Sequence, residues 1–77
     1  MPLALVLLNV ESSSENDVLQ KVKEIDGVEE GYISYGVYDI VVKVRAKSMD
    51  ALKDLITTRL RQLEKVRSTL SLILIEE

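Results

Sequence analysis

The chain has 77 residues, a length that fits one domain, and a net charge of −3 at pH 7 with a sequence pI of about 4.9. Its ten Lys and Arg residues are mixed with thirteen Asp and Glu residues, which disfavours direct binding of DNA or RNA. Cys and His are both absent, which excludes disulfides, the common zinc sites and catalysis by Ser-His-Asp or Cys-His groups.

The start of the chain is apolar but predicts neither a signal peptide nor a membrane helix. Residues 1–10 lack a basic start and a small-residue cleavage site, and they are far fewer than the roughly 20 residues that a membrane helix needs. Small secreted domains usually carry disulfides, so the lack of Cys favours the reducing cytoplasm. We therefore expect a cytoplasmic protein without membrane association, metal or cofactor.

Strand and helix patterns follow one another along the chain. Residues 3–10 are rich in Leu and Val and predict a strand. Apolar residues at helical spacing in residues 16–25 predict a helix, which Gly27 ends in a left-handed conformation. Residues 28–35 and 39–46 are rich in β-branched and aromatic residues, and the short gap between them predicts a hairpin.

The second half repeats the helix and strand patterns. Ser48 is a suitable N-cap for a helix that the sequence predicts at residues 49–64. A linker is predicted at residues 65–68. Residues 69–75 predict the last strand, which is followed by a charged end at Glu76 and Glu77. The order βαββαβ predicts an α+β, ferredoxin-like fold. Two helices then cover one face of a four-stranded antiparallel sheet, with the first and third strands in the middle.

Both faces of the first and last strands are apolar. Positions 3–8 of the first strand are all Leu, Val or Ala, although alternate side chains point to opposite faces. In the last strand Leu70, Leu72 and Leu74 likewise oppose Ile73 and Ile75. Two helices cover one face only, so this pattern predicts a homo-oligomer in which another copy covers the second face. The alternative is a monomer with a few exposed Leu side chains.

The hairpin and the last strand carry a motif. The hairpin contains Gly36-Val37-Tyr38-Asp39, and the last strand opens with Thr69-Leu70-Ser71. This pattern resembles the effector-binding domain of the Lrp/AsnC transcriptional regulators, which shows a Gly-x-Tyr-Asp hairpin and a Thr-x-Thr strand opening. Ser71 here replaces the second Thr. The resemblance covers residues 1–77 as a single domain of the dimeric α+β barrel type, without the helix-turn-helix usual in the family.

The resemblance implies a sensing module without enzymatic activity, linked to transcriptional regulation. Such domains dimerise through their sheets, the dimers join into rings, and an amino acid binds between dimers near the hairpin. Co-assembly with full-length family members is a further implication. Carried over, the ligand-binding candidates are Gly36, Tyr38, Asp39, Thr69 and Ser71.

The candidate residue types suit an amino acid. Gly36 lets a ligand approach the backbone, Asp39 could pair with an ammonium group, and the hydroxyls of Thr69 and Ser71 can donate or accept hydrogen bonds. A purely structural interpretation also stays open. In it, Gly36 only shapes the hairpin and Asp39 only binds local backbone N–H groups.

Two other functions fit the order of elements. A small dimeric α+β barrel enzyme, such as a monooxygenase, has an overlapping fold, but such enzymes usually need His, Trp or Asn in the cleft. This sequence has no His and no Trp. An ACT-like regulatory domain shares the element order and amino-acid binding. It would place two sheets side by side instead of face to face.

Overall fold

The structure is a computed structural model that describes residues 1–75. The elements in chain order are β1 (Leu3–Val10), α1 (Glu15–Lys23), β2 (Val28–Ile33), β3 (Ile40–Arg45), α2 (Met49–Leu55), which continues as a π-helical turn (Ile56–Leu60), and β4 (Val66–Leu74). All neighbouring strands are antiparallel and the sheet order is β2-β3-β1-β4. The predicted ferredoxin-like βαββαβ fold is confirmed, with β1 and β3 in the middle. The charged end predicted at Glu76 and Glu77 lies outside the described residues.

The core lies between the helices and one face of the sheet. Alternate residues of β1 and β3 point towards the helices and meet the apolar stripes of α1, α2 and the π-helical turn. The fully buried side chains of largest volume are Leu8, Ile40, Leu52, Leu60, Val6, Val18, Val22, Val42 and Val44. The strands thus present one row of apolar residues to the helices, as the sequence pattern predicts.

The helix termini follow local chemistry. Ser48 caps α2, since its Oγ accepts a hydrogen bond from the N–H of Ala51 at 3.1 Å. Gly27, after α1, has φ +98°. A Cβ at Gly27 would lie 2.6 Å from Leu55 Cδ1 and 3.1 Å from the carbonyl oxygen of Arg45, so this turn needs a residue without a side chain.

Some boundaries differ from the sequence prediction. β4 begins at Val66, three residues before the predicted start, so the linker predicted at residues 65–68 is wrong. The predicted helix at residues 49–64 ends its helical path at Leu60. β2 ends at Ile33, two residues before the predicted end. The early start of β4 requires a β-bulge opposite Asn9 and Val10, which the alternation of residue types does not reveal.

The sheet face opposite the helices, called the open face below, differs between its two halves. The half formed by β1 and β4 is apolar and consists of Leu3, Leu5, Leu7, Leu70, Leu72 and Leu74. The half formed by β2 and β3 carries Glu30, Tyr32, Val41, Lys43 and Arg45. Both faces of β1 and the open face of β4 are therefore apolar, as predicted. The helix-facing side of β4 is not uniformly apolar, because it carries Thr69 and Ser71 beside Ile73, and the open face of β2 and β3 carries charged residues.

Candidate ligand-binding site

Asp39 holds the β2–β3 hairpin against the end of β1. Its Oδ2 accepts a hydrogen bond from the backbone N–H of Val10 at 2.9 Å. Its own N–H donates to the carbonyl oxygen of Leu8 at 2.9 Å, and its carbonyl oxygen accepts from the N–H of Ser34 at 2.8 Å. Asp39 therefore has a structural role. The N–H that its carboxylate binds is not a local one, as the structural interpretation of the sequence supposed, but belongs to a residue 29 positions away in the chain.

The same residue lines a cavity at this end of the sheet. The cavity has a volume of about 440 Å³ and is lined by Asn9, Val10, Asp39, Arg67 and Ser68. Small-molecule sites in proteins usually have volumes of roughly 300–1,000 Å³. Asn9 pairs with Ser68 across β1 and β4, and its Nδ2 donates to Ser68 Oγ at 3.2 Å. The side chains around the cavity are polar except for Val10, which suits a small polar ligand.

Arg67 reaches this cavity because β4 bulges. Ser68 pairs with Asn9 and Val66 pairs with Val10, so Arg67 is the extra residue on β4. Its side chain is exposed, and within residues 1–75 its guanidinium has no hydrogen-bond or ion-pair partner. A guanidinium matches the geometry of a carboxylate, and a carboxylate accepts charge-assisted hydrogen bonds from an ammonium. Arg67 and Asp39 together offer one partner for each charge of a zwitterion.

Gly36 and Tyr38 lie in the hairpin but do not line this cavity. Gly36 is exposed and has φ +154°, and a Cβ added there would meet nothing within 4 Å. Its backbone therefore shapes the turn, while the space beside it is open. Tyr38 is half-buried. Of the hairpin residues predicted as ligand contacts, Asp39 is the one that lines the cavity.

Thr69 and Ser71 face the other side of the sheet. They pair with Leu8 and Val6, whose side chains belong to the core, so their own side chains also point towards the helices. Ser71 Oγ is buried and has no hydrogen-bond partner among residues 1–75. Ser68 and Thr69 are consecutive residues of β4, so their side chains point to opposite faces of the sheet. Ser68 therefore lies at the cavity, and Thr69 points away from the open face.

Sequence reasoning missed the cavity residues Asn9, Arg67 and Ser68. The sequence predicts a linker at residues 65–68, so it gives no sign that Arg67 and Ser68 belong to the sheet. Asn9 is the one polar residue within an otherwise apolar strand. That interruption could have indicated a polar site at the end of β1.

The structure is thus a small α+β domain with a polar cavity at one end of its sheet. The family model for the Lrp/AsnC ligand binding domain matches residues 3–77. The chain therefore belongs to the Lrp/AsnC family, as its hairpin and last strand predicted.

Its relatives include a regulatory protein. The chain is 33% identical over 58 residues to the regulatory protein AsnC of Escherichia coli K12, and the match covers 75% of this chain and 38% of AsnC. The crystal structure of hypothetical protein PHS023 from Pyrococcus horikoshii is 31% identical, with a TM-score of 0.93 over 100% of this chain and 93% of that one. The structure of E. coli AsnC is 26% identical, with a TM-score of 0.90 over 99% of this chain and 52% of AsnC. The chain thus spans about half or less of the AsnC protein that it matches.

Among residues 1–75, none of the helices combines the length and apolar character that crossing a membrane requires.

Proposed function

We propose that residues 1–77 act as an effector-binding domain that senses a free amino acid or a close analogue in the cytoplasm and has no enzymatic activity. The main support for this proposal is the cavity at the β2–β3 hairpin, where Asp39 and Arg67 provide opposite charges. Arg67 would bind the α-carboxylate and the free oxygen of Asp39 would bind the ammonium. Asn9 and Ser68 could add hydrogen bonds to either group.

The proposed form is a homo-oligomer, in which dimers join into rings and co-assemble with full-length family members. The apolar half of the open face supports self-association, because a patch of leucines is seldom left exposed on a monomer. We expect no direct DNA binding, because the net charge is −3 and the Lys and Arg residues are mixed with Asp and Glu residues. A mobility-shift assay at moderate salt should show no complex, and a tight, salt-sensitive complex would contradict this part.

A thermal-shift panel of the twenty amino acids tests the proposed ligand. A ligand that binds the folded protein alone stabilises it by about 2.7 kcal/mol at one hundred times its Kd. At about 4–8 °C per kcal/mol for a domain of this size, that raises Tm by roughly 11–22 °C. If no amino acid raises the Tm of the wild type, the proposed ligand class is wrong.

Two matched variants then locate the site. Arg67→Gln removes the guanidinium at the cavity, and Arg61→Gln removes the same charge from an exposed residue outside its lining. We expect the Arg67 variant to lose the amino-acid shift and the Arg61 variant to keep it. If the amino acid raises the Tm of both variants equally, the ligand binds outside this cavity.

A further inference from the structure

Asn9 and Ser68 form one side of the cavity and keep free hydrogen-bonding groups. The two residues pair across β1 and β4, and Asn9 Nδ2 donates to Ser68 Oγ at 3.2 Å. An amide nitrogen has two N–H groups, and a hydroxyl both donates and accepts. The hydrogen bond therefore leaves one N–H and the Oδ1 of Asn9, and the O–H of Ser68, without a partner among residues 1–75. This side of the cavity thus presents two donors and one acceptor to a ligand.

Asn9 also interrupts an apolar row of side chains. Leu3, Leu5 and Leu7 precede it on the open face of β1, and Leu70 follows Ser68 on the same face of β4. Another leucine would complete the row, and Asn is among the residues that are disfavoured in strands. Asn9 is half-buried, so its amide is not simply a solvated surface group. A polar group in the cavity that Asn9 contacts explains an amide at this position.

The shared groups of an amino acid use both charges of the cavity. Of the five residues that line it, Asp39 and Arg67 are the charged ones, and their signs are opposite. In the proposed complex they pair with the ammonium and the carboxylate that every free amino acid has. An acidic or basic side chain would bring a third charge, which finds no partner among the lining residues, and an unpaired charge removed from water is unfavourable. The cavity therefore suits a ligand with an uncharged side chain.

The lining favours a polar side chain over a large apolar one. Val10 is the one apolar residue of the lining, but it is 6% exposed and its side chain packs in the core. An aliphatic side chain would bury little apolar surface in the cavity. It would also cover the free groups of Asn9 and Ser68 and leave them without hydrogen bonds. A side chain that both donates and accepts would instead pair with these groups.

Building on the proposed function, we propose that Asn9, together with Ser68, contacts the side chain of the bound amino acid and restricts the site to amino acids with an uncharged hydroxyl or carboxamide side chain. Arg67 and Asp39 bind the groups that all amino acids share. Asn9 contacts the group that differs between them, so it determines the specificity of the site.

Pairs of amino acids with matched shapes test this specificity in calorimetric titrations. Asparagine has nearly the shape of leucine and threonine nearly that of valine, so the members of each pair differ mainly in hydrogen bonding. We expect at least one polar member to bind the wild type with a Kd roughly tenfold below that of its apolar counterpart, which corresponds to two hydrogen bonds between neutral groups. Aspartate should bind more weakly than asparagine, because its additional charge has no partner in the cavity.

Asn9→Leu and the matched control Asn16→Leu locate the specificity. Asn16 is exposed on α1 and does not line the cavity. We expect Asn9→Leu to bind the two members of each pair within about threefold of each other, and Asn16→Leu to keep the wild-type ratio. Since both ligands are measured on the same variant, a change in its stability or assembly affects the two Kd values alike. If circular dichroism shows that Asn9→Leu is unfolded, Ser68→Ala replaces it, and a fall in the ratio is again expected.

Each other outcome overturns the proposed specificity. If leucine and valine bind the wild type as tightly as asparagine and threonine, no residue of the cavity selects a polar side chain, although the proposed amino-acid site stands. If Asn9→Leu weakens both members of a pair equally, Asn9 binds the shared carboxylate or ammonium and not the side chain. If Asn9→Leu keeps the wild-type ratio, another residue sets it. If no amino acid binds the wild type, the proposed function is wrong and the specificity of Asn9 is wrong with it.

Discussion

Asp39 has a structural role in the hairpin and a proposed role in ligand binding, and two substitutions distinguish them. Its carboxylate accepts the N–H of Val10 at 2.9 Å, and Val10 is 6% exposed. Asp39→Ala leaves that N–H without its partner, and losing a hydrogen bond to a charged group costs about 1.5–3 kcal/mol. At about 4–8 °C per kcal/mol for a domain of this size, we expect Tm to fall by roughly 6–24 °C. Asp39→Asn keeps an oxygen acceptor, so we expect a loss below about 1 kcal/mol.

The assay is thermal unfolding at one fixed chain concentration, since Tm of an oligomer depends on concentration. It is run with and without the amino acid that most stabilises the wild type. Both variants should lose the ligand-induced shift, because neither keeps the negative charge that would pair with the ammonium. An unchanged Tm for Asp39→Ala would refute the structural role. A wild-type response of Asp39→Asn would refute the ligand role.

Three further predictions concern the turn after α1, β4 and the β2–β3 half of the open face. Gly27→Ala should destabilise the fold by about 1–3 kcal/mol in chemical denaturation, because it strains the backbone and drives a methyl group into Leu55; an unchanged midpoint would contradict this. Ser71→Ala removes a buried hydroxyl that has no hydrogen-bond partner among residues 1–75, so we expect no loss of Tm and a normal ligand shift; a lost shift with intact folding would restore Ser71 as a ligand contact. Tyr32→Phe should raise the pKa of the Glu30 carboxyl towards its usual value, measured by NMR titration, since Tyr32 is the largest cause of its lowering. Because the folded-state pKa of Glu30 is lowered, the contribution of Glu30 to stability is present above its unfolded-state pKa and is lost as the pH falls through its folded-state pKa. The Tyr32→Phe variant should therefore lose less stability in acid than the wild type.

Residue periodicity and turn chemistry predicted the order of the elements, and the resemblance of the hairpin and the last strand predicted the family. The alternation in β1, the helical spacing after Asn16 and the Ser48 cap are local signals, and each was found where the sequence placed it. The apolar open face of β4 could also be predicted, because the alternation of side chains along a strand depends on the sequence alone.

The cavity could not be predicted in the same way. It forms because a bulge in β4 brings Arg67 and Ser68 beside Asn9, and because the hairpin carries Asp39 to the end of β1. Register and bulges depend on contacts between distant strands, which residue types do not encode locally. The division of the open face into two different halves could not be predicted either, because it follows from β1 lying beside β4 and β3 lying beside β2.

The proposed site binds a small zwitterion between Asp39 and Arg67. The most direct test is a crystal structure of the wild-type chain grown with the amino acid that raises its Tm most. We expect density in the cavity, with the ligand carboxylate on Arg67 and its ammonium on the Asp39 oxygen that does not bind the N–H of Val10. An ordered ligand at another place, with this cavity holding water alone, would contradict it.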